Sequence, residues 1–543
     1  MYILENHLNK TMSGKENIFQ DKIFWLTIIS AGIILSMTLW FSLGTDQAIY
    51  AYSAWVWKNY HLPPYIGSWN HNFPGSHIFH FLALYIFGES VLSVRIFDFL
   101  IQLSNVAMLY YLASRISGQK PAGFLACIFY ALYYFQLAFN KTDEKEGYAL
   151  WLILLAIVFG LSLKRKFYLR AIILGFLSGF AFLVKPTFGL CLPLFGIWLL
   201  TQEFRQKPRM VWFGLIIFAL AGLMPSLMIL LYYWRLDRLK DLYEATLWFN
   251  FAVYTRMIRL GFDEKVKSII LMVFRLVAER PLVITSAIIA ILLTAGNWRE
   301  FKEKSLFILI LGLALVSILS GLVQGKNFPY YWIPFWAFLF ILSGVGLARI
   351  GSMIKESAQT LKPRVFSTIF YISLLFISLT SVNLWNLKFA LAYSFRDLRS
   401  AYLFQTEEDF LVEEYLKPLI HPGDEIAYLG WNPLIPFLLH KKLPSRFCAF
   451  ETLLFRRWDN QLLPAQKKWM DEYTNDVMKA RPRFFLISKL TATQSLEYKY
   501  HLSSLNLKDA LSKEFPELQK FLEQNYKLVK TIRAIEIYEL SNP

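Results

Sequence analysis

The chain is poor in charged residues and in cysteine, and each shortage excludes a class of protein. Only 17% of its 543 residues are charged, whereas 56% are hydrophobic, which is too apolar for one soluble core. Cys127 and Cys191 lie inside apolar runs and Cys448 stands alone, so the cysteines form neither a disulfide framework nor a metal-binding set. The composition therefore indicates a multi-spanning membrane protein.

The formal net charge of +17 does not indicate a nucleic-acid partner. Lys and Arg cluster in short connections between apolar runs, where membrane topology and contact with anionic lipids account for them. We therefore expect membrane lipids, and no nucleic acid, among the partners of this chain.

Apolar runs long enough to cross a bilayer predict about eleven transmembrane helices. These runs are 23–43, 90–113, 121–138, 147–163, 169–184, 187–201, 210–233, 281–297, 305–323, 330–348 and 366–385. The pair at 169–201 could instead be one long tilted helix, which would invert the topology of everything after it.

Basic residues fill alternate connections between these runs. The basic connections are 115–120, 164–170, 205–209, 299–304 and 349–364. The positive-inside rule makes their side cytoplasmic, which predicts a multi-pass protein of the plasma or inner membrane with a cytoplasmic N-terminus. The outer segments are then 44–89, 139–146, 234–280, 324–329 and everything after 386.

The outer segments differ from simple loops. Residues 76–87 and 266–277 are too short to span a bilayer but long enough for helices lying in its interface. After 386 the chain becomes charged, with β-like runs at 425–429 and 484–487 and helical stretches at 403–417 and 464–480. The predicted fold is an α-helical polytopic membrane protein with interfacial helices and a C-terminal soluble α/β domain. Its predicted parts are a cytoplasmic segment 1–22, a transmembrane domain 23–389 and an extracytoplasmic domain 390–543.

The strongest candidate for chemistry is Asp46, which directly follows the first apolar run. Its carboxylate is expected just beyond the far membrane face, followed by an aromatic-rich segment. The outer connection 140–146 adds Asp143 and Glu144, which must also lie at the membrane surface because the connection is short. Carboxylates that converge there could deprotonate a hydroxyl or bind a divalent metal. An acidic connection of this kind can equally well be a solvated loop.

Basic, aromatic and histidine residues on the same side are candidates for ligand binding. Lys185 stands at the break between two apolar runs, where its ammonium could meet a phosphate or reach water. Lys326 and Tyr330 fall in a short outer connection and could contact an anionic headgroup. His71 and His77 are candidate metal ligands, although unligated histidines are common in aromatic-rich interfaces.

The order of these motifs over roughly residues 20–350 resembles that of the GT-C membrane glycosyltransferases. The similarity is to the branch with protein O-mannosyltransferases and lipid A aminoarabinose transferases. The matching features, after the acidic residue that follows the first span, are Pro74-Gly75, Phe87-Gly88-Glu89-Ser90, Ser93-Val94-Arg95, the acidic loop after the third span, the segment 175–186 (GFLSGFAFLVKP) and Tyr330-Tyr331-Trp332-Ile333-Pro334.

This resemblance implies an inverting hexosyl- or pentosyltransferase whose sugar donor is linked to a polyprenyl phosphate. The acceptor would be a glycan, lipid or protein at the extracytoplasmic face. Asp46 matches the catalytic acidic residue, the general base for the acceptor hydroxyl, and Asp143, with its neighbour Glu144, matches the acidic residue of the second outer loop. No nucleotide cofactor is required, and a divalent metal is left open.

The chain also departs from the GT-C pattern around the donor. Gln47 follows Asp46 where many members have an acidic residue, and Ile49 stands where a basic residue is often found. The lysine often present before the Pro turn is also missing. Donor phosphate binding therefore has to come from elsewhere. The candidates are Lys185, Lys326, Arg256, Arg259 and Tyr330.

Two other functions are compatible with an apolar, multi-spanning chain. A transporter or flippase of a lipid-linked saccharide commonly places its site at the midplane, on broken helices within repeats. Here the carboxylates gather at one surface and no internal repeat is evident, which favours the enzyme. A non-catalytic membrane scaffold that displays residues 390–543 would leave Asp46 dispensable.

Overall fold

The structure is a computed structural model that describes residues 18–163, 165–203, 208–257, 261–324, 328–357, 407–459, 461–488 and 507–541. Lys326, Arg259 and the predicted span 366–385 lie outside the described residues.

Helices dominate the described residues up to 357. They are α1 (Lys22–Ser36), α2 (Thr45–Tyr60), α3 (Pro74–Phe87), α4 (Val91–Ser117), α5 (Lys120–Gln136), α6 (Lys145–Ser162), α7 (Phe167–Val184), α8 (Cys191–Glu203), α9 (Pro208–Arg235), α10 (Leu239–Tyr243), α11 (Phe249–Ala252), α12 (Phe262–Glu279), α13 (Pro281–Gly296), α14 (Lys304–Val323) and α15 (Ile333–Ser357). Short 3-10 turns include Met37–Trp40, Pro186–Leu190 and Pro329–Trp332.

The described residues after 406 mix helices and strands. They are α16 (Glu407–Leu416), β1 (Ile426–Leu429), α17 (Leu434–Leu438), α18 (Glu451–Leu454), α19 (Pro464–Ala480), β2 (Phe484–Ser488), α20 (Leu507–Glu514), α21 (Pro516–Asn525), β3 (Tyr526–Ile532) and β4 (Ile535–Leu540). The predicted polytopic helical fold with a C-terminal α/β region is therefore confirmed.

Each apolar run predicted as a span before residue 349 coincides with a helix. In the part of the chain that is described, seven helical spans are long and apolar enough to cross a membrane, or eight if α12 and α13, bent by 91° at their junction, form one. The chain leaves the helical conformation at Lys185, so α7 and α8 are not one continuous tilted helix. The exact number of crossings and their orientation stay predictions.

The chain divides into two compact units. The first unit comprises the described parts of Met1–Trp40, Arg95–Met228 and Asp263–Phe395. The second comprises Phe41–Val94 and the described parts of Ile229–Phe262 and Arg396–Pro543.

In the first unit, apolar helices pack directly on one another. Helix α15 packs against α5, α13 and α14, and α6 packs against α7. Gly175 and Gly179 of α7 face the backbone carbonyls of Phe218 and Gly222 in α9, where a Cβ atom would collide. The GFLSG segment is therefore explained by close helix packing, for which small residues are required.

In the second unit, helix α2 packs against α3, and the sheet has the strand order β1-β2-β4-β3. Strands β1 and β2 are parallel, whereas β4 is antiparallel to both β2 and β3. Both β1 and β2 are buried along their whole length, as their uninterrupted apolar sequences predict.

The C-terminal residues of the second unit share their hydrophobic cores with residues 43–94 and 233–257 of the same unit. Tyr65, Trp69 and Phe249 lie in one cluster with Trp469 and Phe485. A second cluster joins α2 to the β1, β2 and α17 residues. A domain boundary at residue 390 stays a prediction.

Candidate active site

Asp46 lies in the first turn of α2, two residues after Gly44, which precedes the helix in an extended conformation. The N-terminal end of a helix favours a negative charge. The side chain is half-buried, and among the described residues its carboxylate makes no hydrogen bond or ion pair. Asp46 is therefore held in place by its helix while its oxygens stay available, which a general base requires.

The helix turn after Asp46 packs against two buried histidines. The ring centroid of Tyr50 lies 5.4 Å from that of His77 and 5.1 Å from that of His80. His77 Nε2 lies 3.1 Å from Asn70 Oδ1, and His80 Nδ1 lies 3.0 Å from the Ser76 carbonyl oxygen. Both histidines thus fix the packing of α3 against the helix that carries Asp46.

The histidine-rich segment does not form a metal centre in the described part of the chain. The centroid of the His71 ring lies 4.4 Å from that of Tyr254, and the backbone carbonyl of His71 accepts a hydrogen bond of 2.8 Å from Asn250. No group of three His, Cys, Asp or Glu side chains among the described residues is arranged to bind a metal ion.

The acidic connection before α6 is buried, so it is not a solvated loop. Asp143 and Glu144 are 0% and 1% exposed. Asp143 adopts a left-handed backbone conformation with φ of 62°. Its N–H donates to the Tyr134 hydroxyl over 2.7 Å, and its carboxylate accepts the Tyr148 hydroxyl. These contacts fix both the backbone and the side chain of Asp143.

A stripe of buried polar residues on α4 supports this connection. The stripe consists of Arg95, Asp98, Gln102 and Asn105. Arg95 donates to the Thr142 hydroxyl and to the Phe139 carbonyl, each over 2.9 Å. Tyr134 donates to Asp98 over 2.8 Å. Asp98 was not among the residues predicted from the sequence, although the spacing of these four residues along one helix face is a usable signal.

Lys185 is buried, 4% exposed, at the break after α7. Its ammonium forms an ion pair with Glu146 and lies 3.9 Å from the ring centroid of Tyr331. Glu146 is itself fully buried. Because the ion pair joins residues that are far apart in sequence, the role of Glu146 could not be predicted from the sequence.

A second buried cation, Arg280, occupies the bend between α12 and α13. Its guanidinium lies 4.8 Å from the ring centroid of Tyr133 and donates to Gln136 over 2.9 Å. Tyr133 in turn donates to the Pro329 carbonyl over 2.9 Å. The turn Pro329–Trp332, which contains the buried Tyr330, therefore contacts Lys185 directly through Tyr331 and contacts Arg280 indirectly through Tyr133.

Arg256 belongs to the second unit and is exposed. Its carbonyl accepts the Trp458 N–H over 3.0 Å. Asp46 also belongs to the second unit, whereas Asp143, Glu144 and Lys185 belong to the first. The convergence of these residues on one site stays a prediction.

Comparisons with known proteins agree with this fold. A model of the dolichyl-phosphate-mannose-protein mannosyltransferase family matches residues 74–234. No curated protein matches the chain significantly by sequence.

Two crystal structures of ArnT from Cupriavidus metallidurans are similar in fold. The one bound to undecaprenyl phosphate has a TM-score of 0.56 and 13% identity, covering 95% of this chain and 98% of that chain. The apo structure has a TM-score of 0.54 and 13% identity, covering 95% of this chain and 97% of that chain. The resemblance to the GT-C superfamily is thus confirmed.

Proposed function

We propose that this multi-pass membrane protein is a glycosyltransferase that takes its sugar from a polyprenyl-phosphate donor. The similarity to a family of mannosyltransferases and to ArnT, whose structure contains undecaprenyl phosphate, supports this class of donor. The observation that carries the proposal is the available carboxylate of Asp46 on a helix that follows the first span.

The chemistry is a single inverting displacement. Asp46 accepts the proton of the acceptor hydroxyl as its oxygen forms a bond to the anomeric carbon. The bond from that carbon to the phosphate oxygen breaks, and the polyprenyl phosphate leaves with the electron pair. The acceptor is a glycan, lipid or protein on the extracytoplasmic side, which is also the proposed side of residues 390–543.

The leaving phosphate is negatively charged and needs cations. Lys185 is our first candidate, because it stands at the break after α7 and its ammonium packs on Tyr331, next to the candidate Tyr330. Arg280 is a further candidate for phosphate binding that was not predicted from the sequence, since a buried guanidinium suits phosphate recognition. Tyr330, Arg256, Lys326 and Arg259 remain further candidates.

Asp143 and Glu144 have a different proposed role. Because both are buried and Asp143 accepts a tyrosine hydroxyl, we assign them to positioning the loop 139–146. Proton transfer then depends on Asp46 alone.

The test uses the full chain in liposomes with a panel of undecaprenyl-phosphate sugars and a membrane extract as the source of acceptor. Wild-type protein should release undecaprenyl phosphate and transfer the sugar, and Asp46→Asn should abolish both. Asp237→Asn is the matched control, because Asp237 is an exposed carboxylate of the same unit. Full activity of Asp46→Asn, or movement of the donor across the bilayer without covalent transfer, would overturn the proposal.

A further inference from the structure

The loop between α2 and α3 holds a strained residue. Tyr65 has a φ of 71°, in the left-handed region that a bulky side chain rarely adopts. Such a conformation is unfavourable and persists only where the surrounding structure enforces it. Within the loop, the Tyr65 N–H donates to the Ser68 carbonyl over 2.8 Å.

Arg446, from the C-terminal part of the same unit, forms two hydrogen bonds with this loop. Its guanidinium donates to the Tyr65 carbonyl over 3.2 Å. Its own carbonyl accepts the Trp69 N–H over 2.6 Å. The strained residue is therefore held by contacts with a residue more than 370 positions further along the chain.

Arg446 is itself fixed by two carboxylates. Its Nη1 lies 2.5 Å from Asp241 Oδ1 on α10. Its Nε and Nη2 meet the two oxygens of Glu472 on α19 at 2.8 and 3.1 Å. A forked, charge-assisted contact of this kind fixes both the position and the orientation of the guanidinium. One side chain thus joins the loop, α10 and α19.

The loop in turn contacts α2, the helix that carries Asp46, directly and through His77. Ser68 Oγ donates to Ser53 Oγ on α2 over 2.7 Å. Asn70 Oδ1 lies 3.1 Å from His77 Nε2, and His77 packs on Tyr50, one helical turn after Asp46. Any movement of the loop would therefore displace contacts on the Asp46 face of α2.

We propose that Arg446 is a positioning residue for the active site, acting through the 61–73 loop. The C-terminal part of the chain then sets the geometry around the proposed base. This inference rests on the role of Asp46 in the proposed function.

Hydrogen exchange and turnover, measured on the full chain in liposomes with the undecaprenyl-phosphate sugar panel, test this proposal. Arg446→Met should speed amide exchange in residues 61–73 and lower kcat about tenfold to a hundredfold, with the donor KM nearly unchanged. Arg446→Lys, which keeps the charge but loses the fork, should fall between. Arg483→Met is the matched control, since Arg483 also bridges two carboxylates, Asp424 at 2.7 Å and Glu539 at 3.2 Å. It should change neither quantity.

Unchanged exchange in 61–73, or an unchanged kcat per folded molecule, for Arg446→Met would overturn the proposal. If that variant does not fold, Asp241→Asn replaces it, because it weakens one of the two ion pairs of Arg446. Faster amide exchange in residues 61–73 of Asp241→Asn would support the proposal, and unchanged exchange would overturn it. The exchange measurement does not depend on catalysis. A fully active Asp46→Asn variant would overturn the proposed function, whereas unchanged exchange in Arg446→Met would overturn only the role of Arg446.

Discussion

Asp46 and Asp143 both lie next to apolar helices, yet they occupy opposite environments. Asp46 is half-buried and, among the described residues, has no partner for its carboxylate. Asp143 is fully buried and receives a tyrosine hydroxyl. An acidic residue beside an apolar helix can therefore either stay available for proton transfer or accept hydrogen bonds that stabilise the fold.

A contrast in burial also separates one ion pair of the first unit from one ion pair of the second. Lys185 and Glu146 in the first unit are both buried. Lys58 and Glu89 in the second unit, 2.9 Å apart, keep about a quarter of their side-chain surface exposed. A buried pair is costly to break because the remaining charge has no water, whereas an exposed pair contributes little.

The largest effect on stability is expected from Lys185→Met. It leaves the Glu146 carboxylate buried without its cation, which should cost about 3–5 kcal/mol. Thermal unfolding in detergent measures this loss, and Lys58→Met is the control from the exposed pair. The double variant Lys185→Met/Glu146→Leu should recover most of the loss. Equal losses of stability for Lys185→Met and Lys58→Met would show that burial does not distinguish the two ion pairs.

A smaller effect is expected at Asp143, where two substitutions separate charge from geometry. Asp143→Ala removes the acceptor for Tyr148 and places a residue without a polar side chain at positive φ, which should cost about 1–3 kcal/mol. Asp143→Asn keeps an acceptor and tolerates that backbone conformation, so its melting temperature should stay near that of the wild type. If Asp143→Asn is as unstable as Asp143→Ala, the charge itself holds the loop.

The smallest effect is expected at Glu89, and it depends on pH. Burial opposes ionisation of Glu89, but hydrogen bonds from Lys58, Asn59 and Trp55 lower its pKa below the ordinary value. Because the folded pKa is the lower one, the stabilisation is present above the ordinary pKa and is lost as the pH falls through the lowered one.

Glu89→Gln should therefore cost about 0.2–1 kcal/mol at neutral pH and nothing in strong acid. Melting temperatures of both proteins between neutral pH and pH of about 3 check this. A constant difference across that range would mean that the charge of Glu89 is not what stabilises the protein.

Much of the fold could be predicted because it depends on local patterns. The apolar run at 305–323 predicts α14 (Lys304–Val323) almost to the residue, and the β-like runs at 425–429 and 484–487 give β1 and β2. Asp46 could be proposed as a site residue because its place directly after an apolar run is also a local feature.

The rest of the site depends on contacts between distant residues. Nothing near Lys185 in sequence indicates its partner Glu146, which is 39 residues away. Arg280 had a local signal, an arginine before a proline at the start of an apolar run, but its contact with Tyr133 follows only from helix packing. The burial of Asp143 likewise depends on tyrosines of the helices on either side of its loop.

The most direct test of the account compares the same substitution at both aspartates. Single-turnover transfer from a prebound undecaprenyl-phosphate sugar is measured for Asp46→Asn and Asp143→Asn, per folded molecule. The account predicts a loss of about 10²–10⁴ for Asp46→Asn, the contribution of a general base, and at most about tenfold for Asp143→Asn. An active Asp46→Asn beside an inactive Asp143→Asn would contradict it.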